Sequence, residues 1–217
     1  MVKLQGARII LRDKIIEDAE QDYIWRSDPE LASLDAAFPL AMSYDRFLKL
    51  AQDQLRYPTP GSHHFATTTL EGKFIGNCMY YDLDSVNKHA ELGIVIGDRD
   101  YWSNAYGYDA VTTLLEYCFN EINLTRVYLH TLEWNKRAQR CFEKCGFAQV
   151  RPVRRMSHDF ILMEVFREDW LPRRKSGWQQ DSSTGMQKPT LPRPIRHRRG
   201  ARPCAPPTQQ QQSLPAN

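Results

Sequence analysis

The stretch from Glu91 to Ala110 has the residue types and spacing of an anion-binding turn. An apolar run that ends at Ile96 is followed by a loop of small and polar residues, and then by a helical pattern. The first N–H groups of a helix lack partners within it and lie at the positive end of its dipole, which suits a pyrophosphate. Gly107 allows close approach of the backbone, and Trp102–Tyr108 contains no proline that would remove a donor. By itself the pattern is still more typical of an ordinary strand–loop–helix connection.

The elements that must position this turn first run as successive strands and then alternate between strands and helices. The predicted strands are Ala7–Arg12, His64–Thr69, Phe74–Tyr81, Ala90–Ile96, Thr125–Thr131 and Phe160–Phe166. The predicted helices are Ile16–Trp25, one starting at Ser27–Glu30, one from Ser43 to the stop at Pro58, Tyr108–Asn120 and Asn135–Lys144. This order predicts an α/β (α+β-like) fold with a mixed, mostly antiparallel sheet and a parallel crossover in its middle.

The composition separates an acidic domain from a basic tail. The chain has 217 residues, 41% apolar and 25% charged, which excludes a largely disordered or collagen-like protein. From Pro172 onward there are nine Lys or Arg residues, one Asp and eight of the thirteen prolines. Such a segment buries too little apolar surface to offset the entropy of ordering it. We therefore predict a domain at residues 1–171 and a disordered Pro/Arg/Gln-rich tail at 172–217.

The sequence lacks signs of a membrane span, export or a metal centre. No run approaches the roughly 18 apolar residues of a spanning helix, and the N-terminus reaches charged residues too soon for a secretory signal. Five cysteines are too few and too scattered for a disulfide framework, so we expect reduced thiols in a cytoplasm. Cys141 and Cys145 lie one helical turn apart without further ligands, so no metal site is predicted.

A second segment adds a resemblance to a known family. The strand Arg126–Thr131 is followed by Asn135 and by a helix that ends in Lys144-Cys-Gly-Phe147. Together with five earlier markers in the same order, it resembles the GNAT-type N-acetyltransferase superfamily. It is most similar to the branch of ribosomal-protein-alanine and spermidine acetyltransferases, and the likeness runs from Arg8 to about Glu168. The earlier markers are Ile10–Arg12, Glu17–Asp18, Ser27–Glu30, Gly72–Gly76 and the loop Trp102–Ala110.

The resemblance implies acetyl-CoA as co-substrate and a sheet that is splayed at its central parallel pair. In the family the pantetheine arm lies on the splayed strand, here at Ile94, Val95 and Ile96. Ligands of open sheets generally bind where parallel strands separate, which agrees with this placement. The pyrophosphate is implied on the loop amides, with further contacts from the next strand and helix. These implied contacts are Trp102, Ser103, Asn104, Ala105, Tyr106, Gly107, Asn135, Arg137 and Ala138.

Three positions depart from the family pattern. The loop usually opens with Gln or Arg, where this chain has Trp102, and it has glycine where this chain has Ala105. Because the contacts are main-chain N–H groups, Ala105 is acceptable if its φ is negative. Phe142 stands where many relatives carry the tyrosine that protonates the departing CoA thiolate, and losing a general acid typically costs about 10²–10⁴-fold. A thiolate with a pKa of about 8.5 is a tolerable leaving group, and substitute donors are water, Tyr106, Tyr108 or Tyr128.

Glu91 and Asn135 are the residues that we assign to catalysis. Glu91 begins the strand beside the expected splay and is the first candidate for the base that deprotonates an amine, although a solvated strand-end carboxylate is the alternative. Asp82 and His130 are further candidates, and for His130 a structural role is the commoner explanation. A backbone N–H near Ile94 would polarise the thioester carbonyl.

These observations predict an N-acetyltransferase that moves an acetyl group from acetyl-CoA to a primary amine by direct attack in a ternary complex. The acceptor is either a protein N-terminus or a small amine such as a polyamine. The alternative is an acyl-CoA-binding sensor or scaffold with weak or no catalysis, because of Phe142. The resemblance allows a homodimer, and contact with nucleic acid or ribosomes is restricted to the arginines of the tail, for which an extension of no fixed role is the alternative.

Overall fold

The computed structural model describes residues 2–155 and 157–175, which form eight strands and six α-helices. The first half contains β1 (Lys3–Gln5), β2 (Ile9–Asp13), α1 (Ala19–Ser27), α2 (Pro29–Leu34), α3 (Tyr44–Arg56), β3 (His63–Thr69) and β4 (Phe74–Asp84). The second half contains β5 (His89–Ile96), α4 (Tyr106–Asn120), β6 (Arg126–Leu132), α5 (Lys136–Lys144), β7 (Ala148–Arg155), β8 (His158–Phe166) and α6 (Arg167–Lys175). Helix α6 thus includes the first four residues of the predicted tail, and the rest of that tail, with its predicted contacts, lies outside the described residues.

The strands form one mixed sheet in the order β1, β2, β3, β4, β5, β6, β8, β7. Every neighbouring pair is antiparallel except β5 and β6, which are parallel because α4 crosses over between them. The α/β fold class is therefore confirmed, with the parallel pair in the interior of the sheet.

The predicted strands do not include β7, which lies between Phe147 and Phe160 where the sequence predicts a loop. Arg151, Arg154 and Arg155 lie on β7, which pairs with β8 alone and forms one edge of the sheet. Nearly every β7 side chain is exposed, so the strand lacks the alternation of apolar and polar residues that reveals a half-buried strand. A bulge between Gln149 and Arg151 breaks the period further.

The core lies between the sheet and α4. On β5 and β6, Ala90, Leu92, Val127 and Leu129 are buried in one cluster with the apolar residues of α4. Successive side chains of a strand point to opposite faces, so the residues between these project from the other face. Within the described residues, no helix has both the length and the apolar content needed to cross a bilayer.

Helix α1 contacts the sheet face opposite α4. Asn77, which alternates with buried Cys78 on β4, donates to Asp22 of α1 over 2.8 Å. Trp25 is buried against Phe74, with ring centroids 4.9 Å apart, and a Cβ at Gly97 would lie 2.1 Å from its ring. Since α4 covers one face of the sheet, this second face is the side from which a further molecule can approach.

Candidate active site

The parallel strands β5 and β6 separate after a short contact. They pair at only three register positions, the last of which joins Glu91 to Tyr128. Beyond that position β5 continues through Ile94 to Ile96 paired with β4, whereas β6 continues paired with β8. In the described chain, the β5 edge that faces β6 therefore has backbone groups outside the ladder. The predicted contacts Ile94, Val95 and Ile96 lie on this half-buried edge.

The loop after β5 leads into the N-terminus of α4 through two left-handed residues. Ser103 has a φ of 60° and Ala105 a φ of 63°. Ala105 precedes the first helical residue, Tyr106, and no side chain caps the first N–H groups of the helix. The first turn of α4 therefore presents donors and a positive dipole end to an anion. From the sequence, Ala105 is acceptable only if its φ is negative, and the observed φ is positive. A left-handed conformation costs an L residue about 1–2 kcal/mol. The conformation explains why the family pattern has glycine there.

Arg8 lies beside the same loop, and no local sequence pattern predicts this. An open depression of about 560 Å³ is bounded by Arg8 on the β1–β2 turn and by Asp100, Tyr101, Ser103, Asn104, Ala105 and Tyr106. The guanidinium carbon of Arg8 lies 6.0 Å from the centre of the Tyr106 ring. A cation is thus added beside the helix N-terminus, and both attract a phosphate.

The buried carboxylate of Asp109 holds the β1–β2 turn in place. Asp109, in the first turn of α4, accepts hydrogen bonds from the backbone N–H groups of Ala7 (3.1 Å), Arg8 (2.7 Å) and Ile9 (3.1 Å). A Cβ at Gly6 would lie 2.5 Å from the Asp109 carboxylate, so only glycine fits this close approach. These contacts join residues about a hundred positions apart, which no local pattern could reveal.

The start of α5 meets the loop from the other side. The Arg137 guanidinium lies 3.9 Å from the centre of the Trp102 ring, and the Trp102 indole donates to the Ile96 carbonyl over 2.6 Å. Asn135 caps α5, because its side-chain oxygen accepts from the Ala138 N–H at 3.1 Å. The structure therefore brings the predicted contacts of β5, the loop and α5 together, while the Asn135 oxygen and the Ala138 N–H satisfy each other.

Glu91 is not the solvated carboxylate that was the alternative reading. Its Oε1 lies 2.7 Å from His130 Nδ1, and the two side chains are 6% and 7% exposed. The pKa of Tyr81 is raised well above its ordinary value. Burial is the largest cause, and the charge of Glu91 and the hydrogen bond between Tyr81 and Glu91 add to it. Burial, followed by the charges of Glu91 and Asp82, raises the pKa of Tyr128 to about 12. Both phenols are therefore protonated at neutral pH.

Phe142 belongs to the core. It is buried, and its ring packs edge-on against Phe147 with centroids 5.9 Å apart. On the same helix a hydrogen bond from Cys145, together with Lys144 and Arg137, lowers the pKa of Cys141. Over residues 2–155 and 157–175, no group of three His, Cys, Asp or Glu side chains is arranged to hold a metal ion.

Comparisons with known proteins match this architecture. The family model of the acetyltransferase (GNAT) domain matches residues 8–148. The chain is 27% identical over 128 residues to the uncharacterized N-acetyltransferase p20 of Bacillus licheniformis, covering 58% of this chain and 71% of that protein. It is 25% identical over 85 residues to a spermidine N(1)-acetyltransferase of Vibrio cholerae, covering 39% of this chain and about half, 49%, of that protein.

A solved structure extends the match of fold over the whole domain. The crystal structure of spermidine N-acetyltransferase from Vibrio cholerae in complex with CoA and spermine superposes with a TM-score of 0.68 at 19% identity. The superposition covers 76% of this chain and 99% of that one. The predicted resemblance is confirmed: the chain belongs to the GNAT acetyltransferase family and, as a member, is an N-acetyltransferase.

Proposed function

We propose that this protein transfers an acetyl group from acetyl-CoA to a primary amine by direct attack in a ternary complex. The observation that carries the proposal is the separation of β5 from β6 beyond the Glu91–Tyr128 pair, with a helix N-terminus at its open end. A relative of the same fold is described in complex with CoA and spermine.

The donor half of the site fits acetyl-CoA along its length. The β5 edge from Ile94 to Ile96 takes the amides of the pantetheine arm, and an N–H near Ile94 polarises the thioester carbonyl. The amides between Trp102 and Gly107 take the pyrophosphate. Arg8 lines the depression beside that loop and Arg137 lies over its Trp102 ring, so both can supply positive charge for the phosphates.

The acceptor half lies on the sheet face opposite α4 and carries negative charge. Glu91 is the register partner of Tyr81, and the charges of Glu91, Asp35 and Asp82 all raise the pKa of the Tyr81 hydroxyl. Carboxylates favour a cationic amine over a neutral or anionic acceptor, in agreement with a polyamine or a protein N-terminus. Tyr128 stays protonated at neutral pH. It is the nearby phenol that can protonate the CoA thiolate, the role that relatives give to a tyrosine at the position of Phe142.

The test is acetyl transfer with purified protein and a panel of amines. Spermidine, spermine, an N-terminally free peptide and a lysine-containing peptide with a blocked N-terminus separate the acceptor classes. Free thiol should appear only when amine is added, and mass spectrometry should locate one added acetyl group on a primary amine. If thiol release stays at the hydrolysis background with every amine while CoA binding is normal, the proposal is wrong.

Phe142 favours a second candidate, binding of acyl-CoA without turnover, because a buried phenylalanine has no proton to donate. Calorimetry separates the two functions. Tight binding of acetyl-CoA without thiol release would support a sensor or scaffold, whereas amine-dependent turnover by the wild type would exclude it.

A further inference from the structure

The pair Glu91–His130 lies at the point where the parallel strands separate. Glu91 occupies the last position at which β5 pairs with β6, and its register partner there is Tyr128. His130 is two residues further along β6, so it projects from the same face of the sheet as Tyr128. Their hydrogen bond therefore crosses the gap at its closed end, on the face opposite α4.

Burial fixes what each member of the pair can do. Glu91 is 6% exposed, and its Oε1 is engaged by His130 Nδ1 at 2.7 Å. A buried carboxylate is costly without a partner, and its bond selects the imidazole tautomer with hydrogen on Nδ1. The lone pair of the neutral ring is then on Nε2, so His130 rather than Glu91 offers a free basic atom.

The surroundings of His130 hold its ring and leave Nε2 available. Tyr128 and Phe160 meet the ring edge-to-face, with centroids 6.0 and 6.4 Å away. Among the described residues, the hydrogen bond of the ring is the one at Nδ1, which leaves Nε2 as the ring nitrogen on the far side from Glu91.

We propose that His130 is the catalytic base of the acetyl transfer and that Glu91 is its positioning residue. The inference rests on the proposed function. The ammonium group of the acceptor first loses a proton to solvent. The neutral amine nitrogen then attacks the thioester carbonyl carbon, a C–N bond forms, and the nitrogen loses its second proton to Nε2. The C–S bond breaks with its electron pair on sulfur, which takes a proton from the Tyr128 hydroxyl, and the imidazolium then returns a proton to the phenolate. The products are the acetylated amine and CoA thiol.

Kinetics distinguish this assignment from Glu91 acting as the base itself. His130→Gln should lower kcat about 10²–10⁴-fold, with CoA affinity by calorimetry unchanged, and His130→Asn should do the same. Glu91→Gln should lower kcat less than His130→Gln does, because the base remains. His158→Gln, an exposed histidine on β8, is the matched control and should keep wild-type kcat. A His130→Gln enzyme within about threefold of wild type, with Glu91→Gln inactive, would overturn the assignment.

A spectroscopic measurement tests the pair without turnover. Imidazole nitrogen shifts of the wild-type protein, recorded under conditions where the ring is neutral, should show His130 with hydrogen on Nδ1 and a bare Nε2, and Glu91→Gln should increase the opposite tautomer. A wild-type ring with hydrogen on Nε2 alone would refute the geometry even if the His130 variants do not fold. Failure of the wild type to acetylate any amine would instead overturn the proposed function, and the assignment with it.

Discussion

Asp109 is the residue whose replacement tests the architecture of the donor site most directly. Asp109→Asn keeps the size of the side chain but removes its charge and puts an NH₂ group where one oxygen accepted. The Asp109 carboxylate accepts three backbone N–H bonds, two on Oδ2 and one on Oδ1. A hydrogen bond to a charged group is worth about 1.5–3 kcal/mol. Losing one such bond and weakening two others should lower the free energy of unfolding by about 3 kcal/mol.

Urea denaturation followed by tryptophan fluorescence measures this loss, with Asp53→Asn on the exposed face of α3 as the matched control. For a domain of this size the melting temperature should fall by about 6–12 °C, whereas Asp53→Asn should change stability by less than about 0.5 kcal/mol. Because the hydrogen bonds to Asp109 hold the β1–β2 turn and therefore position Arg8, Asp109→Asn should also weaken CoA binding. Arg8→Ala alone should weaken CoA binding about fivefold without loss of stability, since an exposed ion pair contributes up to about 1 kcal/mol. An Asp109→Asn protein as stable as the control would refute the reasoning.

Three further predictions concern single side chains. Ala105→Gly should raise the free energy of unfolding by about 0.5–1 kcal/mol in urea denaturation, because relief of the left-handed φ exceeds the added unfolded-state entropy. Phe142→Tyr should raise kcat for thiol release about 10–100-fold, since it restores a proton donor. Asp18→Asn should cost about 3 kcal/mol at neutral pH, because Asp18 is buried and pairs with Arg12 at 2.6 Å. Burial raises the pKa of Asp18, but the hydrogen bonds from Arg12 and Ile15 outweigh it and the pKa is lowered overall. The stabilisation by ionised Asp18 is therefore complete above the pKa that Asp18 has in the unfolded state, and it is lost as the pH falls through its pKa in the folded state. The free energy of unfolding of the wild type should consequently fall more steeply in acid than that of Asp18→Asn.

Matched variants sharpen these measurements. Ala51→Gly inside α3 should destabilise by about 1 kcal/mol, opposite in sign to Ala105→Gly, and equal signs would contradict the strain at the loop. Phe147→Tyr, a neighbouring core aromatic, should give no gain in kcat. A gain there equal to that of Phe142→Tyr would remove the argument for a missing acid.

The order of elements could be predicted from the sequence, because apolar alternation and helix starts are local. Asp28, for example, caps α2 by accepting from the N–H groups of Glu30 and Leu31, with Pro29 in the first turn. The splay could be placed at β5 only through the family resemblance. The edge strand β7 could not be predicted, because its side chains are exposed on both faces.

The decisive contacts of the site could not be predicted because they join distant residues. Glu91 and His130 are 39 positions apart, and their meeting depends on the register of two parallel strands, which no pattern encodes. The φ of Ala105 is likewise set by the path of the loop and not by its residue type. The identity of the acceptor, the homodimer and the role of the tail stay predictions.

Arg99 joins the two halves of the molecule's binding surface. Its guanidinium bonds to Asp28 at 2.9 Å and Glu30 at 2.7 Å at the start of α2, and it also lies over the Trp102 ring, 5.6 Å from its centre. Arg137 also lies over that ring, 3.9 Å from its centre. Arg99 therefore connects the loop to the start of α2. If two substrates each shift the order of these segments, thermodynamic linkage requires the factor by which one tightens the other to be the same in either order of addition.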